Sequence, residues 1–196
     1  MDEIEKLPPT AWVLIAIAAA VGFGVSWLWR WYRQYRARKS LRLAVTATGS
    51  DHVVDVLVPD GMGGGFHVDF LLLTSRGVLV VDLRDVQGNI FGGDQMAEWT
   101  VMDGPRRFTF TNPQSGLYDR IAAVKAISAE VPVEGRVVFT RRGRFPKGLP
   151  KWTLMIDALR AEFPAMEHGA DGATGFKEGW EKIKGAVKPS YMAHMR

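Results

Sequence analysis

The stretch "HVDFLLLTSRGVLVVDLRDVQG", residues 67–88, leaves the chain few ways to fold. Two apolar runs flank a short Ser-Arg-Gly break, so they turn back on each other as a β-hairpin. Yet Asp69 enters with the first strand, and Asp82 and Arg84 leave with the second. Charges are depleted from buried strands, because an unpaired buried charge is costly. A two-residue turn at Arg76-Gly77 puts glycine at the second position of a type I′ turn. That register sets Asp69 opposite Arg84 and Leu71 opposite Asp82. By period-two alternation Asp69, Asp82 and Arg84 then share one face. A three-residue turn without a bulge would put Asp69 on the other face. Clustering allows the charges to pair, and it is the expected arrangement.

Two carboxylates and a cation on adjacent strands suit two kinds of site. The carboxylates can hold Mg²⁺ or Mn²⁺ while the cation stabilises charge on a phosphate. The same three residues can also form a plain Asp–Arg salt bridge at a sheet end.

The flanking chain supplies the rest of a domain. "HVVDVLVP" reads as a strand ended by Pro59. "DGMGGG" is a turn, and it lacks the Gly-Lys-Ser/Thr of a phosphate-binding P-loop. Residues 88–94 loop out, and "EWTVM" and "RFTFT" form two further strands around "DGPR". Asn112 and Pro113 begin a helix, as N-cap and first helical residue. Leu117, Ile121, Val124, Ile127 and Val131 follow at helical spacing as a packing stripe. "GRVVFT" is a central strand, "RRGRFPKG" a basic loop, and "WTLMIDALRAEF" an amphipathic helix. "GADGAT" links to a last short helix in "FKEGWEKIKGAV". The order of elements predicts an α/β (α+β) fold with a mixed sheet.

The run from "FHVDFLLL" to "GNIFG", followed by Trp99 and by Asn112-Pro113 before a helix, resembles the NERD family, the nuclease-related domain. The resemblance covers about residues 50–160. It implies a PD-(D/E)xK nuclease-like fold, with Asp69, Asp82 and Arg84 as catalytic residues and Asp69 and Asp82 as ligands of Mg²⁺. The family's Glu-x-Lys is here Asp82-Leu83-Arg84. Asp shortens the carboxylate's reach. Arg stays charged, cannot act as a base and is bulkier than an ammonium. The family's glutamine after Asn-Pro falls at Gly116, with Gln114 two residues earlier. No acid lies between Arg30 and Ser50 to supply the family's helical glutamate, so only Asp55 on the first strand is at hand. His52, His67, His168 and His194 show no metal-ligand spacing. Arg141, Arg142 and Arg144, with Lys147, form a phosphate-binding candidate or a solvated loop.

"AWVLIAIAAAVGFGVSWLW", Ala11 to Trp29, is nineteen residues without a charge. As a helix it spans about 28 Å, close to a bilayer core of about 30 Å. Trp12 and the group Trp27, Trp29 and Trp31 stand at its ends like interfacial aromatics. "MDEIEK" is acidic, unlike a signal peptide's basic start. Arg30, Arg33, Arg36, Arg38, Lys39 and Arg42 follow the run with no acid, which places that side in the cytoplasm. The net charge of +4 resides wholly in residues 1–42, so it gives no sign of a nucleic-acid-binding face elsewhere. The absence of cysteine excludes disulfides and thiolate chemistry.

The expected layout is a tail at 1–10, a transmembrane helix at 11–29 and a basic juxtamembrane helix at 30–48. A NERD-like domain at 49–165 and a C-terminal linker with a short helix at 166–196 complete it. The expected protein is single-pass, with its N-terminus outside and a cytoplasmic domain. That domain is degenerate and binds nucleic acid (DNA or RNA) or a protein partner; the alternative is an active Mg²⁺-dependent nuclease.

Overall fold

The computed structural model describes residues 9–164 and 175–190. The chain divides into two compact units, Met1–Arg42 and Leu43–Arg196.

The first unit is built on helix α1, Pro9–Thr46, whose last residues belong to the second unit. No break separates the expected span from the basic segment after it. Along this helix the Arg33 guanidinium lies 4.9 Å from the Trp29 ring centroid, and that of Arg36 lies 5.7 Å from Tyr32, both at i,i+4 spacing. The expectation of a membrane-spanning helix finds no support here: among the described residues, no helix is long and apolar enough to cross a membrane. The side chains at 11 and 13–18, inside the expected span, lie outside the described residues, as do residues 1–8 of the tail.

In the second unit the strands are β1 (Asp51–Pro59), β2 (Gly65–Thr74), β3 (Gly77–Arg84), β4 (Gly88–Phe91), β5 (Glu98–Asp103) and β6 (Arg106–Thr111). Helix α2 (Pro113–Ile127) leads to β7 (Val133–Phe139), β8 (Gly143–Arg144) and β9 (Thr153–Met155). Then come α3 (Ile156–Glu162), α4 (Lys177–Ala186) and β10 (Lys188–Pro189). The main sheet runs β10-β1-β2-β3-β7-β9, and a smaller one runs β6-β5-β4-β8. β3, β7 and β9 are parallel and the rest of the main sheet is antiparallel, so the expected mixed sheet is present.

The apolar runs of β2 and β3 are buried on both faces, which is why they do not alternate. Leu71, Leu73, Val78 and Val80 join Leu117 and Val124 of α2 in one core, while Phe70, Leu72, Leu79 and Val81 are buried on the other side. Trp99 joins the smaller sheet to this core; the rings of Phe110, Phe139 and Phe145 lie 5.9, 6.0 and 6.1 Å away.

Three expectations need correction. The hairpin turn is Ser75-Arg76, since Thr74 pairs with Gly77 and Leu71 with Val80. Gly77 serves a different purpose: with φ 117° it lies against β7's approach, and a Cβ there would be 2.2 Å from the Pro132 carbonyl oxygen. Residues 88–91, read as loop, form β4 because β5 and β8 flank them. "WTLM" opens with strand β9 rather than helix, docked on β7. The expected linker at 166–174 lies outside the described residues, but the last helix is present as α4.

Asp51 at the start of β1 fastens α4. Its carboxylate accepts hydrogen bonds from Trp180 Nε1 at 2.7 Å and Lys184 Nζ at 2.9 Å. Partial burial raises the Asp51 pKa, but the bonds from Trp180, Lys184 and the His52 N–H outweigh it and hold the carboxyl below its usual range. A lowered folded-state pKa adds stability above the unfolded value of 3.8, and that stability is lost as pH falls through the folded value. The hydrogen-exchange protection of α4, relative to its intrinsic rates, should therefore fall in acid below that value, and Asp51→Asn should remove this step while weakening α4 at neutral pH. An unchanged acid profile in Asp51→Asn would contradict the assignment.

Candidate functional site

β2 and β3 pair only as far as Phe70 and Val81, and beyond that β3 continues against β7 through Arg84. Where the strands part, the Leu83 N–H needs an acceptor, and Asp69 Oδ2 supplies it at 2.9 Å. Carried one residue past the last pair, the register sets Asp69 against Asp82 rather than Arg84. A slip of two residues leaves the alternation of β3 unchanged, so Asp82 and Arg84 keep one face; Asp69 meets this end of β3 through the Leu83 N–H.

Asp82 is 3% exposed, and its Oδ2 accepts hydrogen bonds from two guanidiniums: Arg84 Nη2 at 2.8 Å and Arg120 Nη1 at 3.2 Å. Arg120 comes from α2, and its Nε also donates to the His67 carbonyl oxygen at 2.6 Å. It therefore ties the helix to β2 and β3 at once. The sequence reading missed it. Its only signal was its position between Leu117 and Val124, beside the apolar stripe, where a polar side chain ordinarily faces solvent.

With Asp69 and Asp82 as acids and Arg84 and Arg120 as cations, the formal charges cancel. Two carboxylates of a metal site would call for a divalent cation; here two monovalent guanidiniums supply the same charge. The residues do not fit a Mg²⁺ ion shared by Asp69 and Asp82. An added dication would meet two fixed positive groups already bound to Asp82, and Mg²⁺ tolerates poor ligand geometry badly. Arg84 carries a further mark of substitution: its Nε is buried and has no hydrogen-bond partner among the described residues. Such an orphan costs about 1–3 kcal/mol, and a lysine at this place has no inner N–H to orphan.

The glutamine question is also answered. Gln114 is buried at the start of α2, donating through Nε2 to Asp94 Oδ1 at 3.1 Å and to the Lys151 carbonyl at 2.5 Å. With Asn112, whose Oδ1 caps the Gln114 N–H, it holds the 93–97 loop, so its role is structural. At Gly116 an added Cβ would lie 3.1 Å from Arg120 Nη1. The missing side chain leaves the space that the Arg120 guanidinium uses.

A second group converges nearby. One ligand atom each from Asp55, His67 and Asp69 lie within 4.8 Å of one another. His67 Nε2 is 3.1 Å from Asp69 Oδ1, and its Nδ1 is 2.9 Å from Ser190 Oγ. The reading that no histidine stands with metal ligands is thus corrected for His67, whose partners come from different strands. His168 and His194 lie outside the described residues.

Arg141, Arg142 and Arg144 line one polar cleft of about 420 Å³ with Gln87, Asn89 and Asp103. Arg141 pairs with Asp157 at 2.6 Å, and the pair raises the arginine's pKa and lowers that of the acid. Arg142 bonds Asp85 Oδ2 at 2.8 Å and Gln87 Oε1 at 2.6 Å. Both ion pairs are exposed and screened by solvent, so another anion can replace the carboxylates.

Mixed sheets with two acids where a buried hairpin divides define a nuclease-like α/β domain. Residues 31–140 match the model of the NERD family, described as nuclease-related domain, over more than half of the chain, and the chain belongs to that family. The match begins inside α1 and ends just after β7. No curated protein and no solved structure matches the chain.

Proposed function

We propose that this protein is a membrane-attached NERD protein that holds nucleic acid without cleaving it at Asp82. One observation carries the loss of cleavage: the Asp82 carboxylate is occupied by Arg84 and Arg120, where a nuclease would present it to a metal ion. Family membership supports nucleic acid as the partner. Arg141, Arg142 and Arg144 line one cleft and offer phosphate contacts; the carboxylate partners of Arg141 and Arg142 lie at the surface, where a phosphate can displace them. The uncharged run 11–29 and the six basic residues after it support attachment to a bilayer with the domain in the cytoplasm.

Labelled DNA and RNA, single- and double-stranded, test the reading by fluorescence anisotropy with the full chain in detergent. Binding should be the same in EDTA and in Mg²⁺, with intact substrate recovered from both. Replacing Arg141, Arg142 and Arg144 together by Ser should weaken binding by about tenfold or more and flatten its salt dependence. Mg²⁺-dependent cleavage that disappears in Asp82→Asn would reject the proposal. For the location, protease added outside spheroplasts should spare residues 43–196; digestion from outside would reject the stated orientation.

A further inference from the structure

We propose that Asp55, His67 and Asp69 form a binding site for a divalent transition-metal ion, with Zn²⁺ the best match. The site does not include Asp82, but it uses Asp69, one of the two acids that the family resemblance assigns to Mg²⁺.

Three elements of backbone geometry bring the ligands together. His67 and Asp69 are two residues apart on β2, so they sit at neighbouring levels of one strand. Asp55 lies across from Asp69 on β1, between the Val54–Phe70 and Val56–Val68 pairs. Its φ of 52° departs from strand conformation. The inward side of β1 changes parity at this point, since Val53 packs on the same core as Val56 and Val58. Val68 and Leu71 show the same change on β2. A polar side chain is set where the alternation breaks on both strands.

The ligand spacing matches the ion. Zn–N and Zn–O bonds of about 2.0–2.2 Å put neighbouring ligand atoms of a tetrahedral ion about 3.3–3.6 Å apart. His67 Nε2 and Asp69 Oδ1 stand close to this at 3.1 Å, and 4.8 Å bounds the separations in the whole trio. A small movement of the Asp55 carboxylate completes the set, leaving one position of a tetrahedral ion for water.

Groups outside the trio orient the ligands. The Leu83 N–H holds Asp69 Oδ2, while Oδ1 faces His67 Nε2. Ser190 Oγ faces His67 Nδ1 and can act in either direction. Without metal, the hydroxyl donates to Nδ1 while Nε2–H donates to Asp69. With metal, Nδ1–H donates to Ser190 Oγ and the Nε2 lone pair is free to ligate. Such an outer partner fixes the tautomer in metal-bound histidines generally. Arg120 takes the carbonyl oxygen of His67 and leaves its imidazole alone.

The imidazole also sets the selectivity. Mg²⁺ prefers an all-oxygen shell and binds through water and carboxylates, whereas imidazole suits Zn²⁺ and its first-row neighbours. His67 and Asp69 are 11% and 14% exposed, so the site is sheltered yet open to an entering ion.

Isothermal titration of the full chain in detergent with ZnSO₄ and with MgCl₂ tests the site. One Zn²⁺ per chain should bind, while Mg²⁺ should neither bind with similar strength nor compete. His67→Gln and Asp55→Asn should each weaken Zn²⁺ by more than about tenfold, the range that outer-shell partners alone command. His52→Ala, an exposed histidine on β1, should bind as before. Substituting Co²⁺ gives a spectroscopic check: its visible band should shift in His67→Gln, a change that lost folding stability alone would not produce. Absence of stoichiometric Zn²⁺ binding, binding untouched by both ligand variants, or equal affinity for Mg²⁺ would each overturn the proposal. If either ligand variant unfolds, as seen by circular dichroism, the cobalt spectrum of the other decides.

Discussion

Asp82→Ala should lower the stability of the Leu43–Arg196 unit by about 3 kcal/mol, among the largest losses expected from any single side chain here. The carboxylate neutralises two guanidiniums, and one of them, Arg120, anchors α2 to β2 through the His67 carbonyl. Its removal leaves both charges facing each other in a place where water enters poorly. Breaking a buried ion pair from one side typically costs about 3–5 kcal/mol. The low end applies because Arg84 and Arg120 are 29% and 18% exposed and recover part of their hydration. Urea unfolding should show a lower midpoint with an unchanged slope. Asp82→Ala combined with Arg120→Met should recover part of the loss, because one stranded charge is gone. A change below about 0.5 kcal/mol in the single variant, typical of surface sites, would mean that the cluster is solvated.

The second large effect concerns cleavage. Asp82→Glu with Arg84→Lys restores the family's Glu-x-Lys, yet on its own it should remain inactive, because Arg120 still occupies the carboxylate. Adding Arg120→Gln removes that charge while keeping a donor for the His67 carbonyl. The triple variant should then show Mg²⁺-dependent nuclease activity about 100-fold or more above background, the usual worth of one properly placed charge-stabilising group. Glutamate supplies reach and lysine a compact charge without an orphaned inner N–H. Asp69→Ala in the triple variant should abolish the gain. Equal activity in the double and triple variants would show that Arg120 is no obstacle.

Much of this was legible in the sequence, and the failures follow from distance along the chain. The two buried strands of the hairpin, the Asn112 cap and the Leu117–Val124 stripe are local patterns, and each is present, the hairpin with a shifted turn. The turn was misplaced because Gly77 looks like a turn residue, whereas its lack of a side chain makes room for Pro132, just before a strand that arrives much later. β4 and β9 are too short to show a period of their own and exist because β5, β8 and β7 pair with them. Asp82 and Arg84 keep a common face despite the error, because they stand two residues apart on one strand. Arg120 and the convergence of Asp55, His67 and Asp69 were hidden for the same reason as Gly77. Each gains its meaning from an element that only folding brings near.

The most direct test is a Mn²⁺ titration followed by electron paramagnetic resonance, on the full chain carrying Asp55→Asn and His67→Gln. Those changes remove two of the three groups of the histidine site and leave Asp69 and Asp82 as the remaining pair. If guanidiniums fill the place of the metal, the free Mn²⁺ signal should rise in direct proportion to the metal added, with none taken up. Uptake of one Mn²⁺ per chain that vanishes in Asp82→Asn would contradict it.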